Sequence, residues 1–171
     1  MTQDEFIATH TGYKMQNNPT MSESTSFMYE SYSNAPTNFD WRDQNTVTPI
    51  KYKGRCGWMM NAFDYISQNQ GITTEKSYRY QQMQETCDTQ INKVATISDY
   101  RMVPENDEEA LLKAVTNQPV SVALEGHGRD FQFYNGGVFT GDCGNSLTHA
   151  VTTVGYGTSE EGLNYRLIKN S

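Results

Sequence analysis

The chain has 171 residues, with 20 acidic against 13 basic side chains, a net charge of −7, and 36% hydrophobic residues. That length holds one domain, at most two lobes deep. Without a Lys/Arg cluster, the acidic balance argues against nucleic acid and anionic membranes as partners and fits a solvated surface. No stretch approaches the roughly 18 apolar residues of a membrane-spanning helix. The opening MTQDEFIATH has neither the basic flank nor the apolar core of a signal peptide, so none is expected. The one N-x-T triplet, Asn18-Pro19-Thr20, is disqualified by its proline. No cofactor and no metal are expected.

Residues 1–38 are rich in Ser, Thr and Asn and show no sustained period, so they read as loop or disorder. From Trp58 to Asn69 the apolar residues Met59, Ala62, Phe63 and Ile66 recur on one helical face, and Gly71 is expected to close that helix. A second helix is expected after Pro104, with Asn106 as its cap, Glu109 three residues on, and Ala110, Leu111, Ala114 and Val115 as the buried stripe. Pro119 ends it. Val120, Val122 and Leu124 then alternate as in a half-buried strand. Leu147–Tyr156 and Leu163–Lys169 read as two further strands joined by a turn over Gly157–Gly162. Helices first and strands later indicate an α+β layout.

Three cysteines, Cys56, Cys87 and Cys143, form an odd set. Taken alone, His149 in its apolar strand would be an ordinary satisfied core residue, and His10 and His127, in polar or Gly-rich context, read as surface residues.

Longer motifs change the weight of these residues. FDWRDQNTVTPIKYKGRCG (Phe39–Gly57), WMMNAF, VPENDEEALLKAV, NQPVSVAL, FQFYNGGVFTGDCG and LTHAVTTVGYG together resemble the papain-like cysteine proteases, and specifically plant members of the senescence-associated type. The resemblance covers nearly the whole chain. It implies a papain-like two-lobe fold, with a helical left lobe, an antiparallel, barrel-like right lobe and a cleft between them. Residues 1–36 would then be the remnant of an inhibitory prosegment, mostly disordered. Residues 37–171 would form a partial peptidase domain, with a reduced left lobe over 37–97 and a right lobe over 98–171.

Within that resemblance His149 takes the place of the general base and Asn170 that of the amide that orients its ring. Thr148 stands where many relatives carry Asp or Asn. Lys53 occupies the position of the glutamine that donates to the oxyanion. Met59, Ala123 and Ala150 would line an apolar specificity pocket, or else pack as plain core. Gly57 is either the last glycine of a substrate-binding pair or the glycine that follows Cys56. Arg166 replaces a tryptophan, at a cost if its guanidinium is buried unpaired.

The nucleophile is where the pattern fails. The family motif C-G-[SA]-C-[WY] precedes its catalytic histidine by about 130–150 residues, whereas His149 follows Cys56 by 93. The chain passes from Cys56-Gly57 directly to Trp58, so the block carrying the nucleophilic cysteine and its helix is missing. Cys56 lies two residues before Trp58, not directly before it, which makes it a poor substitute. The resemblance also implies that the partners of Cys56, Cys87 and Cys143 are absent, although Cys56 and Cys87 could pair with each other. The sequence therefore implies a cysteine-type endopeptidase by descent that is internally deleted, truncated and inactive. Two alternatives stand beside this: an active peptidase whose true transcript contains the missing block, and a non-catalytic decoy for cystatin-like inhibitors or peptides. Partners would be a peptide or protein substrate or such inhibitors, with the chain a monomer or an aggregate. The family is secretory, vacuolar or lysosomal.

Overall fold

The structure, a computed structural model, describes residues 2, 4–5, 26–52, 58–83 and 85–170. Lys53, Cys56 and Gly57 lie outside the described residues, as does His10, so their expected roles have no geometry here.

The first ordered contacts come from the aromatic run of FDWR. Phe39–Asp40 forms a short strand, β1, followed by a 3-10 turn over Trp41–Gln44. The Asp40 side chain caps that turn by accepting from the Arg42 N–H. Trp41 Nε1 donates to the Val115 carbonyl at 2.7 Å, and the Phe39 ring stacks on Tyr156 with centroids 6.3 Å apart.

Helix α1 spans Met59–Gln68. It ends in a Schellman arrangement: Gly71 N–H donates to the Ile66 carbonyl at 2.8 Å and Gln70 N–H to that of Ser67 at 3.1 Å. The left-handed residue that this motif requires is Gln70, at φ 57, and not the expected Gly71. Gly71 is needed one step later, at φ 124, where a Cβ would lie 2.5 Å from the Ala95 carbonyl oxygen. That close approach seats the Ile72–Ala95 bridge.

Helix α2 spans Glu108–Asn117. Its cap is Asp107, whose carboxylate accepts from Ala110 N–H at 2.8 Å, one residue later than the expected Asn106. Asn106 instead takes a left-handed conformation, at φ 57, which turns the chain into the helix. The expected stripe buries Ala110, Ala114 and Val115, with Val115 fully inaccessible, while Leu111 is only half-buried. Glu108 and Glu109 in the first turn suit the positive end of the helix dipole.

Strand β2 (Val120–Leu124), the single turn α3 (Arg129–Gln132), β3 (His149–Thr158) and β4 (Asn164–Lys169) complete the order. All four strands form one antiparallel sheet around β3, with β1 and β2 pairing to it, and β4 as its third partner. A register shift between Thr153 and Gly155 accommodates β4. β3 begins and ends two residues later than the expected strand, and Gly157 lies within it instead of in the turn. The stretch expected to belong to the left lobe thus contributes β1 to this sheet.

Among the described residues, the buried apolar ones are Ala110, Ala114, Val115, Ala150, Val151, Val154 and Tyr156, all from α2 and β3. No residue of α1 is buried. Its apolar face instead lines a cavity of about 540 Å³, which Met59, Met60 and Phe63 share with Met102, Leu111 and Val122.

Candidate active site

His149 opens β3, directly opposite Leu124 of β2. Pairing with β2 fixes its backbone, and the residue is 4% exposed. Its Nε2 lies 2.6 Å from Asn170 Oδ1. An amide oxygen can only accept, so the proton of this bond sits on Nε2, and Nδ1 carries the lone pair of the neutral ring. Phe131 lies beside the imidazole, with ring centroids 6.3 Å apart. Phe139 packs edge-on against Phe131 at 5.9 Å. Asn170 is itself exposed, but the bond ties it to the sheet just past the end of β4.

Two positions expected to line a pocket are brought together by register. Ala123 and Ala150 are cross-strand partners, so their side chains share one face of the sheet. Met59 lines the 540 Å³ cavity with Ala123, and a second cavity of about 330 Å³ with Ala150. Met59 therefore stands between the two spaces at the start of α1.

The hydroxyl of Thr148 accepts from Gly126 N–H at 3.2 Å and lies 3.3 Å from His127 Nδ1. Glu125 accepts from Ser146 N–H at 3.0 Å and lies 3.9 Å from the same ring nitrogen. His127, read from sequence as a surface residue, is thus half-buried in a network that ties residues 125–127 to 146–148, next to His149. Its place three residues past a strand that ends opposite His149 was the available signal, but only the pairing register shows it.

Arg166 is neither deeply buried nor unpaired. Its Nη2 donates to Glu108 Oε2 at 2.6 Å and to the Glu108 carbonyl at 3.3 Å, and its guanidinium lies 6.0 Å from the centre of the Tyr156 ring. The charge that replaces the expected tryptophan is therefore held at the N-terminus of α2, although its Nε finds no partner among the described residues. Cys87 and Cys143 are exposed free thiols. Cys87 Sγ lies 3.2 Å from Tyr65 Oη, and this contact is the main cause that raises the Tyr65 pKa. Lys169 is pushed down from the ordinary lysine range by burial first and by Lys51 second. No cluster of three metal-ligating side chains occurs among the described residues.

A buried histidine held by an amide that itself lines the cavity between a helix and an antiparallel sheet is an arrangement that can orient a general base. Comparison with known proteins identifies the family. The family model described as papain family cysteine protease matches residues 56–171. Vignain of Phaseolus vulgaris is 40% identical over 222 residues, covering all of this chain and 61% of that protein. The senescence-specific cysteine protease SAG12 of Arabidopsis thaliana is 37% identical, covering all of this chain and 64% of its own length. The chain thus spans less than two thirds of these relatives. Among solved structures, the proform of the ragweed pollen allergen Amb a 11 superposes with a TM-score of 0.89 at 32% identity, covering all of this chain and 62% of that one. A recombinant stem bromelain precursor gives 0.83 at 31%, covering all of this chain and 68% of that one. With a matching family model over most of its length and a papain-like fold, the chain belongs to the papain family of cysteine proteases.

Proposed function

We propose that this chain is a papain-family peptidase homologue that retains the general-base half of the site and is catalytically silent. The hydrogen bond between His149 Nε2 and Asn170 Oδ1 carries the reading, because it leaves Nδ1 as the basic atom of a buried ring. A base of this kind serves a thiol by forming a thiolate–imidazolium pair. No cysteine directly precedes Trp58 to provide that thiol. In an analogous serine peptidase, loss of the nucleophile costs about 10⁶-fold in kcat. Peptide would still meet the apolar space around Met59, Ala123 and Ala150.

The test is labelling with an epoxide or vinyl-sulfone probe of papain-like enzymes at acidic pH. No covalent adduct is expected. Saturable labelling of Cys56 that Cys56→Ala abolishes would overturn the reading. A second reading, an active peptidase from a longer transcript, is favoured by one observation. The alignment with vignain runs over 222 residues, more than this chain contains, so the pairing opens gaps. A transcript encoding an S/A-C-W-A-F block between Cys56 and Trp58 would establish that reading, and a transcript without it would remove it.

A further inference from the structure

Three side chains stand in one row across the sheet. Ser121 of β2 is opposite Thr152 of β3, and Thr152 is opposite Lys169 of β4. Directly opposed residues project to the same face, so two hydroxyls and an ammonium lie side by side. All three line the 330 Å³ cavity, whose other walls include Met59 and Ala62 of α1 and the Ala150 methyl. Neither the Ser121 nor the Thr152 hydroxyl has a hydrogen-bond partner among the described residues. Lys169 Nζ donates to Thr48 Oγ1 at 3.0 Å, which uses one of its three N–H groups.

The charge balance of this cavity is incomplete. Among the described residues, the carboxylate that acts on Lys169, Glu75, is ion-paired with Lys51 at 3.0 Å. Lys51 also faces the cavity and repels Lys169. Burial and Lys51 both disfavour the Lys169 ammonium, and Glu75 is the smallest of the three influences. A half-buried cation with unused donors, in a row with two unused hydroxyls, is complementary to a small anion that accepts several hydrogen bonds. The apolar wall opposite sets the rest of that ligand.

We propose that the cavity over Ser121, Thr152 and Lys169 is a binding site for a carboxylate carried on a short apolar body, with the carboxylate on the polar row and the body against Met59, Ala62 and Ala150. Asn170, which holds the His149 proton, stands on the rim of the same cavity, but the polar row does not depend on how His149 is used. Two sources share this chemistry, a free small acid and the C-terminus of a peptide.

Isothermal titration of the full chain with 3-phenylpropionate decides it, with 3-phenylpropanol as the uncharged counterpart. Saturable binding of the acid is expected, with the alcohol weaker by about tenfold or more, since a charge-assisted contact is lost. Lys169→Met should weaken the acid by a similar factor and leave the alcohol unchanged. Thr152→Val should weaken it about threefold, as for one neutral hydrogen bond, and Lys113→Met on α2 should not change it. A peptide ending in Ala-Phe with a free carboxylate, against the same peptide amidated, separates the sources. Binding of the free-acid peptide assigns the site to a peptide C-terminus, and binding of 3-phenylpropionate alone assigns it to a small acid. Equal affinity for acid and alcohol, or no saturable binding of any acid, overturns the proposal. The acid–alcohol comparison uses the unaltered chain, so it decides the question even if a variant fails to fold.

Discussion

At His149, one acceptor fixes the position of a ring proton. Asn170 Oδ1 holds Nε2–H at 2.6 Å, and the ring is buried beside Phe131. A buried imidazole N–H bonded in this way exchanges slowly with water. Asn170→Ala should abolish its downfield proton resonance in NMR spectra, and persistence of that resonance would show that another group orients the ring. Asp40 illustrates a different local effect. Its hydrogen bond from the Arg42 side chain holds its carboxyl below the usual range. A depressed carboxylate contributes stability above its unfolded pKa of about 3.9 and loses it as pH falls through the folded value. The stability difference between the parent chain and Asp40→Asn should therefore be constant near neutrality and shrink below about pH 4. Acid titrations followed by circular dichroism would reveal this, and a gap that widens in acid would contradict it.

Helix α2 is held at its N-terminus as well as along its stripe. Asp107 supplies the N-terminal cap, and Arg166 of β4 ties the Glu108 side chain and carbonyl to the sheet. Asp107→Ala should destabilise the fold by about 1 kcal/mol, the usual cost of a lost cap, while Asp107→Asn should cost much less. Chemical denaturation of the two variants checks this, and equal losses would point to charge rather than capping. The cap is also where a sequence pattern misleads by one residue. Asn106 and Asp107 are both good caps with an acidic residue close behind. Which of them serves depends on the left-handed turn at Asn106. The helix itself was legible because its stripe of Ala110, Ala114 and Val115 follows the helical period.

Across the molecule, burial is one-sided. The core lies between α2 and β3, while α1 contributes no buried residue and leaves its apolar face on a cavity. Exposed Tyr65, Ile72, Tyr78, Met83 and Val94 add to the apolar surface of the same half. Local stability follows buried apolar contact, so hydrogen exchange should protect Val151–Val154 well beyond Phe63–Ile66. The thermal transition should be broad, with dye binding typical of exposed apolar surface. Equal protection of the two segments together with a sharp two-state melt would refute this.

The α+β layout, the helices around Phe63 and Ala114, the strands around Val122, Val151 and Leu167, and the family itself were set by sequence alone. Each depends on local periodicity or on motifs contiguous in the chain. The absence of a cysteine directly before Trp58 is equally a matter of sequence. Tertiary structure alone decided which distant groups meet. Antiparallel register put Ala123 beside Ala150, and Ser121, Thr152 and Lys169 in one row. It also brought His127 to Thr148, Arg166 to Glu108, and Phe39 onto Tyr156. These pairs are separated by between 17 and 117 positions in the chain, and no local pattern encodes a register between strands. That register is chosen by which faces can be buried together, since a slip of one residue would turn every side chain of a strand to the opposite side.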